Sequence, residues 1–155
     1  MPTSKLEEQL AEIESLVHKY DLLNERVSSA TIGWHLEHIL LVLDRSLHAL
    51  QTSIVADYKP KTSFKKTVIL FTRKIPRGVG KAPKIALPMN ENISPGHLQQ
   101  KIGALKKQLF ASNNLPENHF FPHPYFGDLK LKTAIKFLEI HTLHHLKIVR
   151  DIVAK

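Results

Sequence analysis

Residues 141–150 read HTLHHLKIVR, and three of the chain's ten histidines fall within five positions there. Neutral imidazole offers a nitrogen lone pair that suits zinc, nickel or iron better than calcium or magnesium. At about 100° per residue, Ala134, Leu138, His141, His145, Val149 and Ile152 fall in one helical sector about 80° wide. His141 and His145 thus lie one turn apart in the middle of an apolar stripe, with His144 towards its edge. Rings at i and i+4 on one face can direct nitrogens at a single ion about 2.0–2.1 Å away. A lone histidine on such a face is usually a packed core residue with its own hydrogen-bond partner. A pair needs two buried partners, a demand that one shared ion would meet.

Two ligands hold a catalytic metal poorly, so a third must come from another element. Residues 29–52 form the natural source. Ile32, His35, Leu36, Ile39, Val42, Leu43, Ser46 and Leu50 share a broad helical face, which Trp34, His38, Leu41 and Ala49 widen. Either His35 or His38 could complete the set. Three histidines with an open fourth position is the arrangement that activates a bound water or substrate atom.

The elements that must position these rings are helical. Leu6, Leu10, Ile13, Val17 and Tyr20 step by three or four and predict a helix over 4–26, capped by Thr3 or Ser4. A second helix is expected over 29–52, with Ser28 or Ser29 as cap. Residues 56–93 carry Pro60, Pro76, Pro83 and Pro88 together with Gly78 and Gly80 and read as a long connection. Within it SFKKTVILFTR fits a short helix capped by Ser63, although VILF also fits a strand. Ser94 and Pro95 start a further helix that stops near Asn113 and Asn114. LPENHFFPHPYFGDLK reads as an aromatic loop, and the last helix runs from about Leu131 to Val153. Four long helices, one long crossover between the second and third and no convincing sheet predict an all-α, up-down four-helix bundle. A length of 155 residues suits one domain over 1–155.

Composition narrows the chemistry. The chain has no cysteine, which excludes disulfides, thiolate ligands and a cysteine nucleophile. The net charge of +8 resides in one place. Residues 56–86 hold nine basic side chains (Lys59, Lys61, Lys65, Lys66, Arg73, Lys74, Arg77, Lys81 and Lys84) against Asp57, and the remainder is balanced at 13 of each sign. Nucleic-acid binding through this segment is the weaker expectation. It interleaves few aromatics, Tyr58, Phe64 and Phe71, and no helix is basic along one face. GVGKAP lacks the spacing of a phosphate-binding loop. The N-terminal MPTSKLEEQLAEIE has no signal-peptide apolar run, and ILLVL at 39–43 is too short to span a bilayer. A cytoplasmic protein without a membrane segment is expected.

Three segments carry a family resemblance. HTLHHLKI resembles the H-x-x-x-H signature of the DinB-like (YfiT-like) metalloenzyme superfamily. ATIGWHLEHILLVLD at 30–44 is similar to its second-helix segment, and HPYFGDLKLKTAIKF at 123–137 looks like one uncharacterised branch. The likeness spans roughly residues 28–152. It implies a metal triad of His38, His141 and His145, with His35 as the alternative first ligand. It also implies a divalent transition metal and a low-molecular-weight thiol as cofactors. The implied activity is that of a metal-dependent, thiol-using S-transferase acting on a small-molecule substrate. The alternatives are a metal-dependent hydrolase and a non-catalytic interaction or nucleic-acid-binding domain. The basic segment could recruit an anionic thiol or substrate. Glu37, Asp44 or Glu139 could orient a ligand imidazole. His123 is expected to pack among Phe120, Phe121, Tyr125 and Phe126, and the apolar second helix suggests a homodimer.

Overall fold

Thr31 starts the longest early helix. Its hydroxyl accepts from the Trp34 amide at 3.2 Å, and α2 then runs Ile32–Thr52. The computed structural model describes residues 3–78, 87–88 and 93–154. Lys81, Lys84 and most of GVGKAP lie outside them. The described residues form mostly helix: α1 (Ser4–Leu16), α2, α3 (Phe64–Thr72), α4 (Pro95–Ser112) and α5 (Leu131–Val153).

The first helix is shorter than its periodicity predicts. It ends at Leu16, passes through a 3-10 turn at Val17–Lys19, and gives way to a turn-rich link up to α2. The reason is tertiary. The Gly33 amide donates to the Tyr20 carbonyl at 2.7 Å, and Ile32 donates to Leu22 at 3.0 Å, which folds the chain back. A Cβ on Gly33 would stand 2.8 Å from the Tyr20 oxygen, so only glycine allows this approach. The contact fixes where α2 enters, and so where His35 and His38 stand.

The other helix signals act locally. Ser63 caps α3 by accepting from the Lys66 amide at 3.2 Å, so the helical alternative for this stretch holds and the strand does not. Arg73 closes α3 in the left-handed region at φ 54°, its amide donating to Ile69. Ser94 caps α4 with Pro95 at its start.

The aromatic segment corrects an expectation. It is not a loop but a hairpin, β1 (Phe120–His123) antiparallel to β2 (Gly127–Lys130), with Phe121 opposite Leu129 and His123 opposite Gly127. Phe120, Phe121 and Leu129 are buried, while Pro122 and Lys130 face out. Gly127 takes φ +71°, which closes the turn. The strand runs straight into α5, whose first amide, Leu131, donates to the His119 carbonyl at 2.8 Å.

The core lies where these pieces meet. Helices α1 and α2 each pack on both α4 and α5, and the hairpin rests on α2 and α5. Leu6, Leu10 and Ile13 of α1 join Leu36, Leu40 and Leu47 of α2 in a continuous apolar cluster, with Leu98 and Ile102 of α4 and Leu138 and Val149 of α5. Truncating one such leucine costs about 2–5 kcal/mol. The apolar face of α2 is therefore covered from within the chain. Among the described residues no helix is long and apolar enough to cross a membrane.

Candidate metal centre

The packing of α2 on α5 brings four histidines together. His35 and His38 stand on successive turns of α2, and His141 and His145 on successive turns of α5. Nε2 of His38 lies 3.2 Å from Nε2 of His141. The ring centroids of His38 and His145 are 4.6 Å apart, and those of His141 and His145 4.9 Å. His38, His141 and His145 each offer a ligand atom within 4.8 Å of the others.

His35 is placed differently. Its Nδ1 faces Nδ1 of His145 at 3.0 Å, and its Nε2 faces the Ser28 hydroxyl at 2.9 Å. Donation can run in either direction along these groups, and Ser28 Oγ also accepts from the Ala30 amide at 3.1 Å. Running from His145 Nδ1 to His35 and from His35 Nε2 to Ser28, it leaves Nε2 of His145 bare, as a metal ligand must be. His35 thus stands behind the triad as the group that orients one of its members. As a sequence it reads as a rival ligand, and Ser28 or Ser29 reads as the cap of a helix that Thr31 caps instead. Hydroxyl and imidazole are seven residues apart, across a turn that the sequence does not reveal.

Packing holds the remaining rings. Trp34 stacks on His38 with centroids 5.3 Å apart and planes 11° from parallel. Phe137 flanks His141 at 6.0 Å. Burial pushes His141 and His145 well below the ordinary histidine value, and each ring's neighbours resist a charge on it. Burial also lowers His35, to about 4. All three are neutral at pH 7, the state in which an imidazole has a lone pair to give.

The donor set fits a transition ion. Two nitrogens on one tetrahedral ion, bonded at about 2.0–2.1 Å, are about 3.3–3.4 Å apart. The 3.2 Å approach of His38 to His141 comes close to that, and it also suits a hydrogen bond between the rings. Nδ1 of His141 is buried without a hydrogen-bond partner.

The other expected contributors lie elsewhere. Glu37 accepts from Lys101 and His97 of α4, and Asp44 accepts from Gln108 at 2.8 Å. Glu139 is half-buried, with its carboxyl raised by desolvation. Orienting an imidazole falls instead to His35. His123 packs as expected, stacked on Phe126 at 4.3 Å and edge-on to Phe137 at 4.6 Å. Its Nδ1 accepts from the Tyr125 and Phe126 amides, both at 3.1 Å, which ties off the hairpin turn.

No protein-family model, no curated protein and no solved structure matches this chain.

Proposed function

We propose that this chain is a metal-dependent enzyme of the DinB-like kind, an up-down four-helix bundle of α1, α2, α4 and α5 with α3 in the crossover. In this reading His38, His141 and His145 hold a divalent transition metal, zinc, nickel or iron, and leave a position for the reacting molecule. The observation that carries it is the convergence of three imidazoles from two helices within 4.8 Å. The resemblance of HTLHHLKI and ATIGWHLEHILLVLD to that superfamily points the same way.

When bound, such an ion supplies Lewis acidity that lowers the pKa of a coordinated thiol or water. The protein's own residues do the rest. His35 holds His145 in the tautomer that presents Nε2, and Ser28 holds His35. Trp34 stacks on His38 and Phe137 flanks His141, which holds both rings in place. With no cysteine in the chain, a thiol-dependent S-transfer must take its sulfur from a small external thiol. That thiol loses its proton and the sulfur bonds to an electrophilic carbon of a small-molecule substrate, whose leaving group departs with the bonding pair.

Elemental analysis of untagged protein tests the reading first. About one transition metal per chain is expected, and His38→Ala should abolish cobalt binding while its helicity is retained. Stoichiometric metal that survives in His38→Ala would sink the triad.

A further inference from the structure

A second feature flanks the imidazole cluster on the same helix. Residues 73–77, which follow α3, and residues of α5 together line a half-open cavity of about 300 Å³. That size is at the lower end for small-molecule sites. Its wall is apolar where Ile75 and Pro76 face Ile140 and Leu143. Its rim is cationic, built from Arg73, Lys74, Arg77 and Lys147. Only Arg77 has an ion-pair partner among the described residues, Asp151 at 2.7 Å. Three further cations line the same small concavity without a carboxylate in ion-pair contact, with only Glu139 within reach of the Arg73 charge. Such a concentration of positive charge favours an anion there.

The cavity also touches the candidate metal centre. His144 lines it, bonded to the backbone of Ile75, and its ring stands 5.0 Å from that of His145. Arg77 is close enough for its charge to act on both His35 and His144.

We propose that this cavity binds the oxyanion group, carboxylate or phosphate, of a small molecule with a short apolar body. Arg73, Lys74 and Lys147 meet the charge, and Ile75, Ile140 and Leu143 take the apolar part. That this molecule is the substrate or thiol of the neighbouring site rests on the metal-enzyme reading above. Anion binding itself does not.

The test uses the full chain at low ionic strength. Amide chemical shifts are followed during titration with inorganic phosphate, with butyrate and with neutral butyramide. Saturable shifts confined to residues 73–77 and 140–147 are expected with at least one anion, and none with butyramide. Saturation by phosphate alone assigns a phosphate-bearing ligand, and tighter binding of butyrate assigns a carboxylate with an apolar tail. Lys74→Gln combined with Lys147→Gln, both at exposed positions, should weaken anion binding at least about tenfold. The same double variant should leave the circular dichroism spectrum and the cobalt affinity unchanged. Equal response to butyramide, unaltered anion affinity in the double variant, or no saturable shift overturns the proposal. If cobalt fails to bind while the anion still does, the metal-enzyme reading falls and the anion site stands.

Discussion

Acid should unfold this protein through its buried and half-buried histidines. His35 and His123 are each lowered from 6.5 to about 4, chiefly by burial. For His123 the hydrogen bonds give the same answer, because a proton on Nδ1 would eject the Tyr125 and Phe126 amides. Between the two values the unfolded chain binds protons that the fold refuses, so stability is full above about pH 6.5 and falls as pH drops towards 4. A shift of this size removes about 1.8 kcal/mol between pH 7 and pH 5. Halving the share of the less buried His123 for solvent screening leaves about 2.7 kcal/mol for the pair. His141 and His145 are pushed lower still and add to it. Glu139, raised by burial, works in the opposite sense, but it is half-exposed and contributes little. Against a total stability of about 5–15 kcal/mol, the loss is large. Urea denaturation followed by circular dichroism, with chelator present, should show the midpoint falling by at least about 1 M from pH 7 to pH 5. In His123→Gln the decline should be shallower. A midpoint that stays level or rises on acidification would refute the assignment of these rings as neutral and buried.

The triad and its support lead to further expectations. His35→Gln and Ser28→Ala should retain metal but weaken cobalt affinity about 10–100-fold, as read by competition with a chelating dye. Undiminished affinity in both would remove the orienting role of His35. Zinc at about 100 times its dissociation constant should stabilise the fold by about 2.7 kcal/mol, visible as a higher melting temperature that His141→Ala lacks. Gly33→Ala should cost about 1–3 kcal/mol because the new methyl meets the Tyr20 carbonyl. A melting temperature within about 1 °C of the parent would show that α2 can shift to relieve the clash. His141→Phe should lose metal binding without loss of stability at pH 7, and a fall of several kcal/mol would mark the ring as a structural element.

Much of this arrangement was legible because its signals are local. Ser63, Ser94 and Pro95 announce two helix starts from within one turn, and α5 begins and ends where its stripe does. The i, i+4 spacing of His141 and His145 needed only helical geometry. What escaped the sequence depends on distant contacts. Nothing near Tyr20 says that α1 must stop before it, since the cause is Gly33, met only after the chain folds back. The hairpin hid behind two prolines, Pro122 and Pro124, which argue against strands generally but are tolerated in a two-stranded edge ribbon. The basic crossover read as a single run of charge. In the described part its lysines and arginines separate into those around α3 and those that rim a cavity on α5.

The histidine cluster is better explained by ligand chemistry than by packing. As two ring pairs, His35 with His145 and His38 with His141, it satisfies some of its own polar groups. It does not satisfy all of them, because Nδ1 of His141 remains buried and unpartnered. An unmet polar atom of this kind costs about 1–3 kcal/mol, and apolar residues of similar volume would avoid it. The cluster also brings the acid sensitivity worked out above, which leucine or phenylalanine would not. A core under selection for stability alone has no use for either cost. The acid sensitivity becomes intelligible if the rings must stay neutral and close together with lone pairs available, the state that a transition ion requires of its ligands, whereas an ion held at Nε2 of His141 leaves its Nδ1 unpartnered.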